Sequence, residues 1–369
     1  DRAYSPDSFA TSMAGGTAED IIALWATEGY VAERGYALDL TDLVEKWEYK
    51  EQLNKDVLTP FIRDGRIYAL PYRGYMMGLL YNKKLFKQAG LVDKNGQAKV
   101  PADWDEFVAC ARKLTDKKKG VSGFGIMGNG AEAGWGFLNW VWQAGGDFEK
   151  EVNGGWKAVF AQKEAVEALS FVKDLRWKHD VLQSTLLATS QDLAARFASD
   201  QIGMMFGAQD RIPSLVNQYG MKLEDIGVAL LPAGPAGRAN QMGGNYFIIN
   251  PKRPTEVQEA AFKWITWQIL GTMDPERIKE TGEDYRAQKQ ITALSALPIF
   301  MGETDRKARQ AAEPYRDVLV DNHEVWQEAA KYMRPEPPFF CQQLYSEYLG
   351  PALQSILTNR SAEPQKLLT

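Results

Sequence analysis

Tyr72, Arg73 and Tyr75 fall within four residues of one another in the stretch Tyr68–Gly90, YALPYRGYMMGLLYNKKLFKQAG. Flat rings stack on apolar faces, and a guanidinium offers a rigid fork of donors. Four other stretches repeat this pairing of rings with planar polar groups. Trp25 and Glu28 follow the apolar run DIIALW, and Trp135 and Trp140 lie in NGAEAGWGFLNWVWQAGGD. Asp210 and Arg211 close FGAQDR, and Gly244, Asn245 and Tyr246 occupy QMGGNYFIIN. Such groups suit reversible capture of a molecule with apolar faces and a hydroxyl rim, because a mismatched ligand leaves buried polar groups unpaired at roughly 1–3 kcal/mol each. The competing reading of each is plain: Tyr72 and Tyr75 as core beside a surface arginine, Asp210 as the cap of a following helix. In the tryptophan-rich stretch, Leu138, Val141 and Trp142 read as core. Trp135, flanked by two glycines, is the better ring for stacking.

Catalytic constellations are largely missing. The two histidines, His179 and His323, sit in no H-E-x-x-H or other metal spacing, and neither a G-x-S-x-G elbow nor a phosphate-binding loop occurs. Gly123–Gly128, GFGIMG, formally fits G-x-G-x-x-G, but Lys117–Ser122 stands where the fingerprint needs an apolar strand. A glycoside hydrolase would need two carboxylates at fixed separation, and no local motif nominates a pair. No cofactor or metal is implied. A net charge of −5 argues against a nucleic-acid footprint, which would be basic. No apolar run approaches the ~20 residues of a membrane-spanning helix. Two cysteines, Cys110 and Cys341, make no disulfide framework, and free thiols are expected.

The elements that must position these groups read as alternating strands and helices. A chain of 369 residues with 45% hydrophobic content can bury two cores. Asp20–Trp25 reads as a buried parallel strand, with Trp25 and Glu28 at its carboxyl end. Two strands are expected either side of a break at Pro71, since proline cannot donate to a central ladder. Asn82 should cap a helix ending at Gly90, Asp103 with Glu106 a second helix, and Thr255 with Gln258 a third. Ser5-Pro6 opens a helix, Thr41–Leu53 forms another, and Lys163–Lys178 is amphipathic, with Ala165, Leu169 and Val172 on its inner face. Strands are expected at Phe206, at Ile226–Leu231 and at Tyr246–Ile249. Asp274–Gln290 reads as a solvated helix and loop.

Y-A-L-P-Y, then Y-N-K-x-L-F-x-x-A-G-L, then Asp103-Trp104-Asp105-Glu106-Phe107, resembles the extracellular solute-binding proteins of sugar ABC importers, of which the maltose-binding type is familiar. Ala14–Ile22, Gln143–Asp147 and Phe197–Gly207 resemble further segments of that family. The resemblance implies an α/β fold of two lobes, of the type II periplasmic-binding-protein kind, with a ligand cleft between them. It divides the chain into residues 1–124 plus 245–298 and residues 125–244 plus 299–369, with crossings near Gly123–Gly128, at Gly243-Gly244 and at Leu297-Pro298. It also implies a strand–helix–strand unit ahead of the first helix, and no signal peptide is visible. The implied partners are a small-molecule sugar or oligosaccharide and the transmembrane permease of an ABC transporter, with no nucleic acid. The implied protein is a monomer outside the cytoplasm, in the periplasm or lipid-anchored at the cell surface. A glycerol-phosphodiester, a polyamine or a peptide is the alternative ligand class, with Arg73 and Arg211 suiting a phosphate.

Overall fold

The computed structural model describes residues 6–25, 28–153, 155–297, 299–337 and 343–368, and of residues 6, 7, 25 and 28–30 the backbone alone. Ser5, Pro298 and Cys341 lie outside it, as do the side chains of Trp25 and Glu28.

Seven strands build the central sheet: β1 (Ile21–Trp25), β2 (Leu70–Asn82), β3 (Ser122–Gly125), β4 (Ile202–Ala208), β5 (Ile226–Ala229), β6 (Asn240–Ile249) and β7 (Met333–Pro335). Their order is β1-β6-β2-β4-β3, with β7 also pairing β6 and β5 also pairing β2. The 13-residue β2 is the shared member. Its first half pairs antiparallel with β6, from Leu70 opposite Phe247 to Met76 opposite Met242. Its second half lies between β4 and β5, from Met77 opposite Ala208 to Asn82 opposite Ile226.

Two large hydrophobic clusters follow from that division. One gathers Phe9, Ile22, Leu70, Phe247, Ile265 and Phe300. The other gathers Leu79, Phe107, Phe124, Trp140, Leu169 and Leu353. Met77, Leu79, Phe86, Phe107 and Phe124 pack in the second cluster, while Leu80 joins a smaller one with Ile202 and Met205. The buried residues of β2 thus change cluster along the strand, Leu70 in the first and Leu79 in the second. Gly123 is there for contact: a Cβ would meet the Ala111 carbonyl oxygen at 1.9 Å, so strand and helix can touch only without one.

Three local expectations change. Pro71 does not separate two strands. It lies inside β2 opposite Tyr246, and the ladder shifts register between Asn245 and Tyr246, leaving Tyr72 as the extra residue. An irregular step and a strand's first residues are where a sheet tolerates proline. β1 is antiparallel to β6, not parallel, and buries Ile22 and Leu24 while exposing Ala23. Thr41–Leu53 is not one helix but a turn of helix at Thr41–Glu45 and a 3-10 turn at Lys50–Gln52.

The helices that carry or support the cleft are α1 (Trp104–Leu114), α2 (Gly130–Gln143), α3 (Lys163–Trp177), α4 (Arg211–Asn217), α5 (Thr255–Gly271), α6 (Pro275–Ala287) and α7 (Gly302–Ala312). Asn82 caps its helix through Leu85 N–H (3.0 Å), and Asp103 caps α1 through Glu106 N–H (2.9 Å). In α1 the Glu106 carboxylate reaches back to Ala102 N–H instead of the cap's own. Thr255 does not cap α5. It is the first helical residue, and Gln258 donates to the Pro251 and Arg253 carbonyls. Cys110 is a buried free thiol on α1, 3.8 Å from the Met204 sulfur, and burial pushes its pKa up to about 12.

Candidate functional site

Antiparallel pairing puts Arg73 opposite Asn245, and Asn245 is also opposite Trp25. Three of the expected residues therefore form one row across three strands, at the place where the ladder shifts. Such irregularities re-aim side chains and often border sites. Gly244 permits the approach: a Cβ on it would stand 2.2 Å from the Arg73 carbonyl oxygen.

A cleft of about 620 Å³ opens here, within the range of roughly 300–1,000 Å³ typical of ligand sites. Its near wall is Tyr72, Arg73, Gly74 and Tyr75 of β2, with Gly244 and Asn245 of β6. Gln209 and Asp210 enter at the end of β4. The far wall is Gln268 of α5, Arg277 and Thr281 of α6, and Asp305 and Arg309 of α7. A smaller cavity of about 170 Å³ shares Tyr75 and Asp210 and adds Trp135, Ser190 and Arg211.

Arg73, Asp210 and Arg211 line these spaces without a hydrogen bond or ion pair to any described residue. Asp210 stands at the first turn of α4 but in helical backbone geometry, with no side-chain capping bond. Its carboxylate makes no cap and lines the cleft. Arg309, by contrast, is held by Asp305 (3.0 Å) and Asp321 (2.9 Å), and Arg277 lies 5.6 Å from the Trp267 ring. Tyr72 stacks on Phe247 with centroids 4.1 Å apart and planes at 19°. Burial raises the Tyr72 phenol pKa and lifts that of Tyr75 well above its ordinary value, so both hydroxyls stay protonated donors at neutral pH.

Two expected site residues are core. Trp140 is 1% exposed and stacks on Phe206, and five residues along α2 place it about 140° round the helix from Trp135. Tyr246 is fully buried against Phe61, beside a void of about 40 Å³ that no sugar ring would fit. Trp25 and Glu28 have no described side chains to place. Sequence reading missed the far wall altogether, because Arg277 and Thr281 lie in a stretch so charged that it reads as solvated. It also missed Glu336, whose carboxylate accepts from Tyr75, Trp135 and Tyr345. The signal was Gly243, whose absent side chain leaves room for that contact.

The sheet, the two clusters and the cleft beside their shared strand define an α/β protein of the two-lobed solute-binding type. Residues 3–269 match the bacterial extracellular solute-binding protein family, and the chain belongs to it. Among relatives, a binding protein from Brucella abortus (strain 2308) is 28% identical over 225 residues, 60% of this chain and 50% of that protein. The chain thus spans about half the length of the curated relatives it matches in this way. The multiple sugar-binding protein of Streptococcus mutans is 20% identical over 323 residues, 84% of this chain and 68% of that protein. In fold, the chain is similar to the ABC substrate-binding protein Lmo0181 of Listeria monocytogenes, solved in complex with cycloalternan. The TM-score is 0.74 at 24% identity, covering 98% of this chain and 85% of the other. No helix of the described residues is long and apolar enough to cross a membrane.

Proposed function

We propose that the protein is the ligand-capturing component of an ABC importer, taking a sugar or oligosaccharide into the 620 Å³ cleft and presenting it to the transporter's permease. The observation that carries this reading is the set of unpartnered planar groups, Arg73 and Asp210, facing one cleft beside the Tyr72 and Tyr75 rings. Hydroxyl rims would meet the charged groups and sugar C–H faces the rings. The protein acts without catalysis, as a monomer outside the cytoplasm. The two lobes are the two hydrophobic clusters, with the crossings at the middle of β2, within β6 and just past β7. Ligand that touches both lobes favours a closed state, and only the difference in its affinity for open and closed forms can drive that rotation.

Arg73 and Arg211 together also suit a phosphate, which favours a glycerol-phosphodiester as the second reading. A thermal-shift screen with maltose, laminaribiose, tagatose, ribitol, glycerophosphocholine and spermidine separates these. A ligand at 100 times its Kd should stabilise by about 2.7 kcal/mol. A sugar recovered unchanged after long incubation supports the reading, glycerophosphocholine alone favours the second, and a sugar cut into smaller products overturns both. Scattering curves with and without the hit test closure, and superimposable curves would sink it.

A further inference from the structure

Glu336 stands immediately past β7, on the segment that leads back to the second cluster, and its N–H donates to the Met242 carbonyl of β6 (3.2 Å). Three aromatic donors from three parts of the chain converge on its carboxylate. Oε1 accepts the Tyr75 hydroxyl and the Trp135 indole N–H (3.3 Å), and Oε2 accepts the Tyr345 hydroxyl (2.7 Å). The same indole N–H lies 3.1 Å from the Tyr75 oxygen, so ring, ring and carboxylate form one closed set. The backbone is shaped for it. A Cβ on Gly243 would come within 2.6 Å of both Glu336 Oε1 and the Tyr75 hydroxyl.

Tyr75 and Trp135 sit with centroids 5.9 Å apart and planes at 55°, and both wall the smaller cavity that adjoins the cleft. One comes from the strand common to both lobes and the other from a helix of the second. Neither ring is fixed by packing alone, since both are half-buried. Both donate to the Glu336 carboxylate, and the Trp135 indole N–H also lies 2.6 Å from the Gln241 side-chain amide, whose oxygen accepts it in the orientation that satisfies both.

We propose that Glu336 is a positioning residue of the binding site: it fixes the orientation of the Tyr75–Trp135 ring pair for the ligand and ties that pair to the crossing past β7. The role in binding rests on the capture function proposed above, whereas the hold on the rings does not. An amide could replace only part of it. The glutamine of Glu336→Gln keeps one acceptor oxygen for Tyr75 and Trp135 but loses the charge, and its NH₂ can only donate, so the Tyr345 hydroxyl must turn to accept it.

The test uses the whole chain labelled with 5-fluorotryptophan, its Trp135 resonance assigned from Trp135→Phe. In Glu336→Gln the Trp135 resonance should move while the other tryptophans stay. Burial raises the Glu336 pKa above the ordinary 4.5, against the lowering effect of its hydrogen bonds. The wild-type Trp135 signal should therefore titrate above pH 4.5, and in Glu336→Gln it should not. The groups facing the carboxylate are Tyr75, Tyr345, Trp135 and Gln241, with Arg73 across a small void. Calorimetry with the six probes named above should show about tenfold weaker binding for whichever one binds, the loss of about one charge-assisted hydrogen bond. An unmoved Trp135 resonance in folded Glu336→Gln overturns the proposal. If that variant does not fold, Tyr75→Phe, which deletes one donor and keeps the ring, must still move the Trp135 resonance. If no probe binds the wild type, the capture reading fails, and the fluorine spectra alone decide whether Glu336 holds the rings.

Discussion

β2 is one strand with two characters. From Leu70 to Tyr75 it pairs with a single irregular neighbour, exposes Arg73 and half-buries Tyr72 and Tyr75. From Met76 to Leu80 it is buried residue after residue, paired with β4 from Met77 and also with β5 from Leu79. Both halves are continuous extended strand, apart from the irregular step at Tyr72. What separates them is the number of neighbours: two regular ladders demand an apolar run, while a shifted ladder at a lobe junction leaves side chains free to face a ligand. The same contrast recurs on α2, where Trp135 walls a cavity and Trp140 is core. The position of a side chain relative to the lobe junction, more than its type, decides whether it binds or packs.

The largest effect expected from this contrast is on stability at Trp140. Trp140→Ala empties a site packed by Phe206, Phe107 and Trp104 and should cost about 3–5 kcal/mol. Trp135→Phe should leave the melting temperature within a few degrees and weaken ligand binding instead. Equal losses of stability in the two variants would erase the distinction between the turns of α2.

Within β2 the contrast sharpens between Leu80 and Arg73. Leu80 is fully buried, and Leu80→Ala should lose about 2–5 kcal/mol in a urea titration with an unchanged slope. The Arg73 side chain has no hydrogen bond or ion pair among the described residues, so Arg73→Ala should change stability by less than about 0.5 kcal/mol. Its cost should fall on affinity, by about 1.5–3 kcal/mol for a charge-assisted bond to the ligand, roughly tenfold to a hundredfold in Kd. Asp210→Asn, which keeps the shape and removes the charge, should lose the lower part of that range. If Arg73→Ala unfolds the protein while binding survives, the first half of β2 is structural after all.

How much of this was legible in the sequence follows the same line. Residues whose role is settled by near neighbours could be read: Asn82 and Asp103 as caps, the inner face of α3, the apolar strands. Arg73, Asn245 and Asp210 could be nominated because planar groups stand beside glycines and strand ends. Tyr246 was nominated beside the Gly243-Gly244 pair and Trp140 from the clustering of tryptophans, and both are core, because a ring in such a stretch looks alike whether it faces a cleft or a core. Glu336 was out of reach. Its partners Tyr75 and Trp135 are 261 and 201 residues away, and only the folded sheet brings them together. The far wall was hidden differently, since Arg277, Asp305 and Arg309 lie on helices whose charge density suits water, and their service to the cleft depends on how those helices stand against β2.

The smallest effect lies at the end of the buried half, where Asn82 is fully buried and does two things. Its carbonyl oxygen accepts from Leu85 N–H, and its amide donates to Asp200 (2.8 Å), which stands in left-handed backbone geometry just before β4. Asn82→Ala loses the cap, worth about 1 kcal/mol. Asn82→Asp keeps a capping oxygen but sets a second carboxylate against Asp200, with the Lys84 ammonium beside it to relieve the repulsion. If capping is the main role, Asn82→Asp should be closer to wild type than Asn82→Ala, and raising salt should close the remaining gap. If the bridge to Asp200 is what matters, the order reverses, and the buried half of β2 depends at its end on a polar contact and not on packing alone. In either case binding should stay unchanged, because Asn82 lies outside the cleft. A loss of affinity in a folded Asn82 variant would mean that the two halves of the strand are coupled.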